Sequence, residues 1–160
     1  MITIGQFEDK YAQDVIDLVL HFQNDGTRPL VTVNDQPDLL NITCEYIEKG
    51  GNFWVAKDDS KLIGSIGIMP YNNEIAVLKK FFVYEDYQGE PYHIGQKLYT
   101  RLLSFANEKN IKTILLDTPH NTVRAHKFYE KAGFKKITED MLPIKFSHPY
   151  KDCDFFMLEL

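Results

Sequence analysis

The stretch from Phe81 to Lys97, FFVYEDYQGEPYHIGQK, constrains this chain more than any other. It reads as an apolar strand, then a glycine-bearing turn, then the start of a helix. A strand that ends in such a turn aims several N–H groups into one small volume, and the helix N-terminus adds partial positive charge. Anions, phosphates above all, bind in such places. Gly89 and Gly95 can adopt positive φ and let a ligand approach the main chain closely. Taken alone, the same residues also suit an ordinary strand–loop–helix connection, because sparse glycine patterns recur by chance.

A second segment changes the balance. Residues 121–134 read NTVRAHKFYEKAGF. Asn121 or Thr122 suits a helix cap. Ala125, Phe128, Tyr129 and Ala132 follow at helical spacing. Gly133 stands where a left-handed residue ends a helix, with Phe134 as its apolar partner. Together the two segments resemble the GCN5-related N-acetyltransferase (GNAT) family. The matching positions are Val83, Tyr87-Gln88-Gly89 and Ile94-Gly95 in the turn, and Ala125 through Phe134 in the helix. The helix match is near-complete, and the resemblance covers nearly all of the chain.

Length and composition agree with a globular domain. One domain spanning residues 1–160 is expected, and a chain of that size buries roughly 70% of its unfolded surface. Apolar residues make up 44% and charged residues 26%. The net charge of −5 and pI of about 5.5 argue against a nucleic-acid binder, which carries a basic stripe. Cys44 and Cys153 read as reduced thiols of a cytoplasmic protein, not as a disulfide framework. No export signal is legible at the N-terminus, and no apolar run approaches the ~18 residues of a membrane span.

Periodicity predicts the elements. Strands are expected at Ile2–Phe7, Phe53–Ala56, Leu62–Met69, Ile75–Val83, Thr113–Leu116, Phe134–Ile137 and Cys153–Leu158. Helices are expected at Lys10–Phe22, Pro37–Lys49, Ile94–Glu108 and around Ala125–Lys131. Asn24–Gln36 and the stretch holding Pro143, His148 and Pro149 read as loops. The order β-α-α-β-β-β-α-β-α-β-β predicts an α/β fold, a mixed and mostly antiparallel sheet of about seven strands with helices on both faces. The resemblance adds a splay between the fourth and fifth strands.

The resemblance implies acetyl-CoA as co-substrate. Its pyrophosphate would meet the main chain of Gln88, Gly89, His93, Ile94, Gly95 and Gln96, and its pantetheine arm would pair with Phe82 and Val83 as an added strand does. The Val83 N–H would polarise the acetyl carbonyl, an effect of about 3 kcal/mol in other acyl-transfer sites. The turn departs from the family pattern. Glu90-Pro91-Tyr92-His93 makes it about two residues longer than usual for this kind of motif. Pro91 has no N–H to donate and Glu90 has the wrong charge. His93 is either a compensating donor or a solvent-facing residue at the helix start. Asn121 either bonds the pantetheine arm or caps the helix.

Tyr129 stands at the family's general-acid position, which protonates the departing thiolate; the competing reading is a packed core tyrosine. No carboxylate occupies the usual base position, near Leu78 or Lys79. Glu74 at the strand start is the candidate base and Asp117 the second, and both also suit solvated strand-end carboxylates. The five histidines show no metal-ligand spacing, so no metal is expected, and no Cys–His pairing is legible. The resemblance thus implies direct transfer of acetyl to a primary amine, borne by a small molecule or a protein. The acceptor would enter between Asp25–Leu39 and Pro143–Tyr150, because loops on a rigid scaffold carry specificity. The alternative is a non-catalytic acyl-CoA sensor. No nucleic-acid or membrane partner is expected, and a homodimer is compatible with the resemblance.

Overall fold

Asp59 takes a left-handed conformation (φ 51°) and closes the tight turn between β2 (Asn52–Asp58) and β3 (Lys61–Pro70). This hairpin supplies the second and third strands across the sheet in the computed structural model, which describes residues 1–150 and 152–160. The other strands are β1 (Ile2–Gln6), β4 (Ile75–Val83), β5 (Thr113–Pro119), β6 (Lys135–Ile137) and β7 (Cys153–Glu159). They line up in the order β1-β2-β3-β4-β5-β7-β6. Every neighbouring pair is antiparallel except β4 with β5.

Both faces of this sheet are covered, which explains the unbroken apolar run in β3. Leu62 through Ile68 is buried throughout. A strand alternates its side chains between faces, but the register shift that leaves Ile63 without a partner on β2 resets the alternation, and Ile63, Ile66 and Ile68 pack toward one cluster and Leu62 toward the other. One face carries α2 (Ile94–Glu108) and α3 (Val123–Lys131), with Leu98, Leu102, Tyr129 and Phe156 in the core. The opposite face carries α1 (Ala12–Gln23), which buries Val15, Leu18 and Val19 against Phe53, Val55 and Tyr46.

The expected second helix does not form. Residues 37–49 hold a 3-10 turn at Pro37–Leu40 and a π-helical turn at Thr43–Ile47. Asn41, extended in φ (−154°), separates them, and its side-chain oxygen accepts from the Cys44 N–H at 3.3 Å. Asparagine competes for backbone groups in this way. The stretch is held by Leu39, Ile42 and Tyr46, which are all buried.

Two irregularities shape the sheet where the site lies. First, Lys80 and Phe81 of β4 face the single residue Ile66 of β3, since Ser65 pairs with Phe82 and Gly67 with Lys79. This is a β-bulge. Lys80 takes φ 57° there, and the buried Ser65 hydroxyl donates to its carbonyl at 2.7 Å. Second, β4 pairs with β5 only over Ile75–Val77. Beyond Val77 the two strands diverge, as the resemblance implies.

At the far end of β5, His120 lies between two carboxylates, Asp152 and Asp154, the latter 2.7 Å from Nδ1. Hydrogen bonds to Asp154 and then Asp152 raise the imidazole above its ordinary value. Burial pushes Asp154 up, but the hydrogen bond from His120 and the Lys136 charge outweigh it, so its carboxyl is lowered. A raised histidine stabilises the fold fully below its unfolded pKa, about 6.5, and loses that contribution as pH climbs through the folded value. The lowered Asp154 contributes above its unfolded value and loses this on acidification. The gap in Tm between the wild type and His120→Gln is therefore expected to be wider at pH 6 than at pH 9. A gap that does not change with pH in thermal melts would refute the pairing.

Candidate active site

The divergence of β4 and β5 opens a cavity of about 1030 Å³. Its floor is β4 from Leu78 to Val83, its walls are the 88–96 turn and α3, and its far end is bounded by the end of α1, residues 25–28 and the 147–150 loop. Phe82, Val83, Gln88, Gly89, His93, Gly95, Gln96, Asn121 and Tyr129 all line it. Ile94 does not line it and is fully buried in the core beneath the turn. Glu74 stands apart. It is exposed and precedes β4 at the end that pairs with β5, where its carbonyl accepts from Lys112 and Thr113. Asp117 lies on β5 in the cavity wall, because that strand runs on to Pro119 and does not stop at Leu116.

The main chain of the turn is partly committed to itself. Tyr92 and His93 donate to the Gly89 carbonyl at 3.1 and 2.9 Å, Gln88 donates to Glu85 at 3.2 Å, and Lys97 donates to His93 at 3.0 Å. The N–H groups of Ile94, Gly95 and Gln96 are the orphan donors that open any helix, and those of Gly89 and Glu90 also have no backbone acceptor among the described residues. The donor set is thus narrower than the whole span from Gln88 to Gln96. Gly89 takes φ +70° as expected, whereas Gly95 sits inside α2; the second left-handed residue is His93 (φ 51°). His93 is exposed at the cavity rim.

A residue absent from the sequence reading fills part of the gap. Arg124, in the first turn of α3, places Nη2 only 3.1 Å from where a Cβ on Gly89 would stand. A guanidinium therefore lies over the turn and lines the cavity. The only available signal was a basic residue at the start of a helix, where the macrodipole disfavours cations. Gln88 closes the turn from the other side, donating Nε2 to the Val83 carbonyl at 2.8 Å.

At the end of β4, Tyr84 donates its N–H to the Ile63 carbonyl at 2.9 Å. Successive N–H groups alternate along an antiparallel strand, so the Val83 N–H points away from β3 and into the opening beside β5. Tyr129 meets the same opening. Its ring packs against Phe81, Phe134 and Phe156 with centroids 6.3, 5.6 and 5.8 Å away. Burial, the charge of Asp117 and Tyr99 push its phenol far above the ordinary value, with no hydrogen bond among the causes. The buried Tyr99 hydroxyl also lines the cavity and has no partner among the described residues.

Asn121 donates Nδ2 to the Thr27 hydroxyl at 2.9 Å, bridging α3's leading loop to the loop after α1. It does not cap α3; Thr122 occupies the cap position, and its hydroxyl goes to the Pro119 carbonyl.

Asp117 has a setting that spacing alone did not reveal. Its donor atoms and those of His148 and Cys153 all lie within 4.8 Å of one another. The Cys153 thiol is 3.7 Å from His148 Nδ1, a Cys–His approach that was not legible in sequence. Burial, then nearby carboxylates, pushes this thiol up to about 12, so it stays protonated and is no thiolate nucleophile. The His148 Nδ1 also hydrogen-bonds the Tyr150 carbonyl. Burial raises the Asp117 carboxyl, against the opposing charges of Lys79, His148 and Lys80. Both cysteines are free. No helix among the described residues is long and apolar enough to cross a membrane.

Comparison with known proteins gives this architecture its family. The chain spans about half the length of the curated relatives it matches. One of them, the probable N-acetyltransferase camello of Xenopus tropicalis, is 31% identical over 109 residues, covering 66% of this chain and 49% of its own. The crystal structure of an acetyltransferase from Streptococcus agalactiae 2603 superposes with a TM-score of 0.94 at 34% identity, over 99% of this chain and 98% of that one. PaiA N-acetyltransferase from Thermoplasma acidophilum, solved in complex with coenzyme A, shares the fold with a TM-score of 0.76 at 18% identity, over 100% of this chain and 99% of its own. The family model described as the acetyltransferase (GNAT) domain matches residues 49–136, from the end of the π-helical turn through most of β6. That span holds β4, the 88–96 turn and α3, and with more than half of its residues so matched, the chain belongs to the GNAT acetyltransferase family.

Proposed function

We propose that this protein transfers an acetyl group from acetyl-CoA to a primary amine by direct attack of the amine on the thioester. The observation that carries the reading is the open edge of β4. Past Val77 the strand pairs with no other on the β5 side among the described residues, so its main chain is free to hydrogen-bond an extended ligand as an added strand.

The residues fit such a co-substrate. The free N–H groups of Gly89, Glu90, Ile94, Gly95 and Gln96 form the anion cradle, and Arg124 supplies the charge that Glu90 and the self-bonded turn withdraw. A coenzyme A complex of a protein with the same fold supports the choice. The Val83 N–H donates to the thioester carbonyl, where negative charge develops during attack. Tyr129, held protonated by its apolar surroundings, gives its proton to the leaving sulfur. Asp117 replaces Glu74 as the proton acceptor for the incoming amine. Its raised carboxyl is a stronger base than an ordinary one, and it faces the same cavity as Tyr129, whereas Glu74 lies outside. A protein that only positions amine and thioester already removes about 7–11 kcal/mol of the barrier.

Isothermal titration with acetyl-CoA, followed by thiol release over a panel of amines, tests the reading. Micromolar binding with turnover of at least one amine is expected. Arg124→Ala should weaken acetyl-CoA binding about tenfold, the scale of one charge-assisted phosphate contact. Absence of binding at millimolar ligand would refute the site. Binding without release of thiol on any amine would indicate the sensor instead.

A further inference from the structure

The far end of the cavity holds two buried cations whose hydrogen-bonding capacity is only partly used. Arg28 and Lys80 both line it and both are largely desolvated, with side chains 13% and 6% exposed. Arg28 Nη2 donates to Asp25 Oδ2 at 3.3 Å, while the Thr27 N–H and hydroxyl take the other carboxylate oxygen at 2.9 and 2.6 Å. The carboxylate nearest Lys80 is Asp38 at 3.8 Å, and Asp38 takes the Tyr46 hydroxyl at 2.6 Å. Lys80's hydrogen bond goes to a neutral group, Gln36 Oε1. Desolvation, and to a lesser degree the charge of Lys79, lowers its ammonium against the pull of Asp38 and Asp117. A charge removed from water with such weak compensation is costly unless a ligand supplies the counter-charge.

The two cations belong to one structure. Gln36 exchanges amide hydrogen bonds with Gln23. The Gln23 carbonyl accepts from the Tyr150 hydroxyl at 2.6 Å. The Arg28 guanidinium lies over the Tyr150 ring, 5.0 Å from its centroid. An unbroken chain of contacts thus runs from Lys80 through Gln36, Gln23 and Tyr150 to Arg28. The guanidinium is oriented by this stacking and by Nη2 donating to the Phe22 carbonyl at 2.7 Å. Its Nε has no partner among the described residues. In a chain of net charge −5, a buried guanidinium with an unpartnered Nε, lining the same cavity as a desolvated lysine, is a local exception. Lys80 is also held at φ 57° on the bulge, and strain of this kind collects at binding sites.

We infer that the acceptor is an amine that also bears a carboxylate, recognised by Arg28 with Lys80 as the second cation. The inference rests on the acetyl-transfer reading above and adds the class of acceptor to it. Arg28 supplies the planar fork that matches a carboxylate. Lys80 supplies field from the strand that also carries the bulge. The amine end of the same molecule is then left toward Asp117 and the Val83 end of β4.

The test compares each of the common L-amino acids with its α-carboxamide, together with putrescine and a lysine-containing peptide, by thiol release from acetyl-CoA. The carboxamides have the less basic amine, which deprotonates more readily, so simple reactivity favours them. At least one amino acid is nevertheless expected to exceed its own amide by about tenfold or more in kcat/KM, the factor of a charge-assisted hydrogen bond. Arg28→Gln should remove this preference through KM for the acid, leaving KM for the amide and the affinity for acetyl-CoA unchanged. Lys80→Met should reduce the preference in the same direction. Faster turnover of amides, putrescine or the peptide would overturn the inference while sustaining acetyl transfer. So would an Arg28→Gln variant that slows acid and amide alike. No turnover of any of these amines, with acetyl-CoA bound, would overturn both.

Discussion

Tyr129→Phe is expected to lower kcat by about 10²–10³, the range of a lost general acid, with acetyl-CoA affinity kept. The substitution removes one oxygen and leaves the ring. That ring is the part that packs on Phe81, Phe134 and Phe156, so the core between β4, α3 and β7 should survive and Tm should move little. The hydroxyl is different. Its surroundings hold the proton far above the ordinary phenol range, so at neutral pH it is an acid and not a phenolate. Transfer of that proton to sulfur restores the tyrosine only after the phenolate regains a proton, which ties the step to solvent or to the acceptor amine. Single-turnover kinetics with a reactive amine would separate chemistry from release. An unchanged rate would assign Tyr129 to the core and place the acid elsewhere.

The largest effect on stability is expected far from the chemistry, at Gly51. Gly51 follows the π-helical turn, with its N–H on the Tyr46 carbonyl at 2.8 Å, and leads into β2. A Cβ built there would stand 2.1 Å from the Ile68 carbonyl oxygen, 2.9 Å from Pro70 Cδ and 3.0 Å from the Tyr46 carbonyl oxygen. Two of these three neighbours are main-chain atoms of elements already hydrogen-bonded, so neither yields by rotating a side chain. Gly51→Ala must therefore move the turn or β3, and a loss of about 3 kcal/mol is expected, the upper part of the overpacking range. Gly5→Ala in β1 is the control, because nothing lies within 4 Å of its Cβ. Urea unfolding of the two variants measures the contrast, with equal m-values if only stability has changed. Equal midpoints for the two would show that the turn relaxes freely.

The Gly51 turn and the charged end of the cavity meet at Tyr46. Its ring packs on Phe53, its carbonyl bonds Gly51, and its hydroxyl holds Asp38, the carboxylate closest to Lys80. Displacing the turn by a substitution at Gly51 should therefore also disturb the charged end of the cavity.

Much of this was legible before any coordinates. The strand Ile75–Val83 and the helix Ile94–Glu108 appear with the bounds that their periodicity predicts, because alternation and 3.6-residue spacing are properties of the chain itself. The glycine turn and the FYEKAGF segment led to the family for the same reason: they are contiguous. Pro37–Lys49 shows the limit of that logic. Its apolar spacing suits a helix, but the Asn41 side chain and the packing of Tyr46 between α1 and β2 favour broken turns.

What contiguous pattern does not carry is which distant residues meet. In sequence Glu74 is the first candidate and Asp117 the second, both as strand-end carboxylates; the short β4–β5 pairing puts Glu74 outside the cavity and Asp117 in its wall. Arg124 lies over Gly89 only because α3 packs beside the 88–96 turn. Cys153 and His148 reach Asp117 because β7 inserts between β5 and β6. Lys80 faces a cavity because one extra residue bulges β4. Local propensity acts over a few residues, so the sequence by itself determined the elements and the family to which they belong. Strand order, the splay and the bulge depend on burial across the whole sheet, and only the tertiary structure decided which charges share the site.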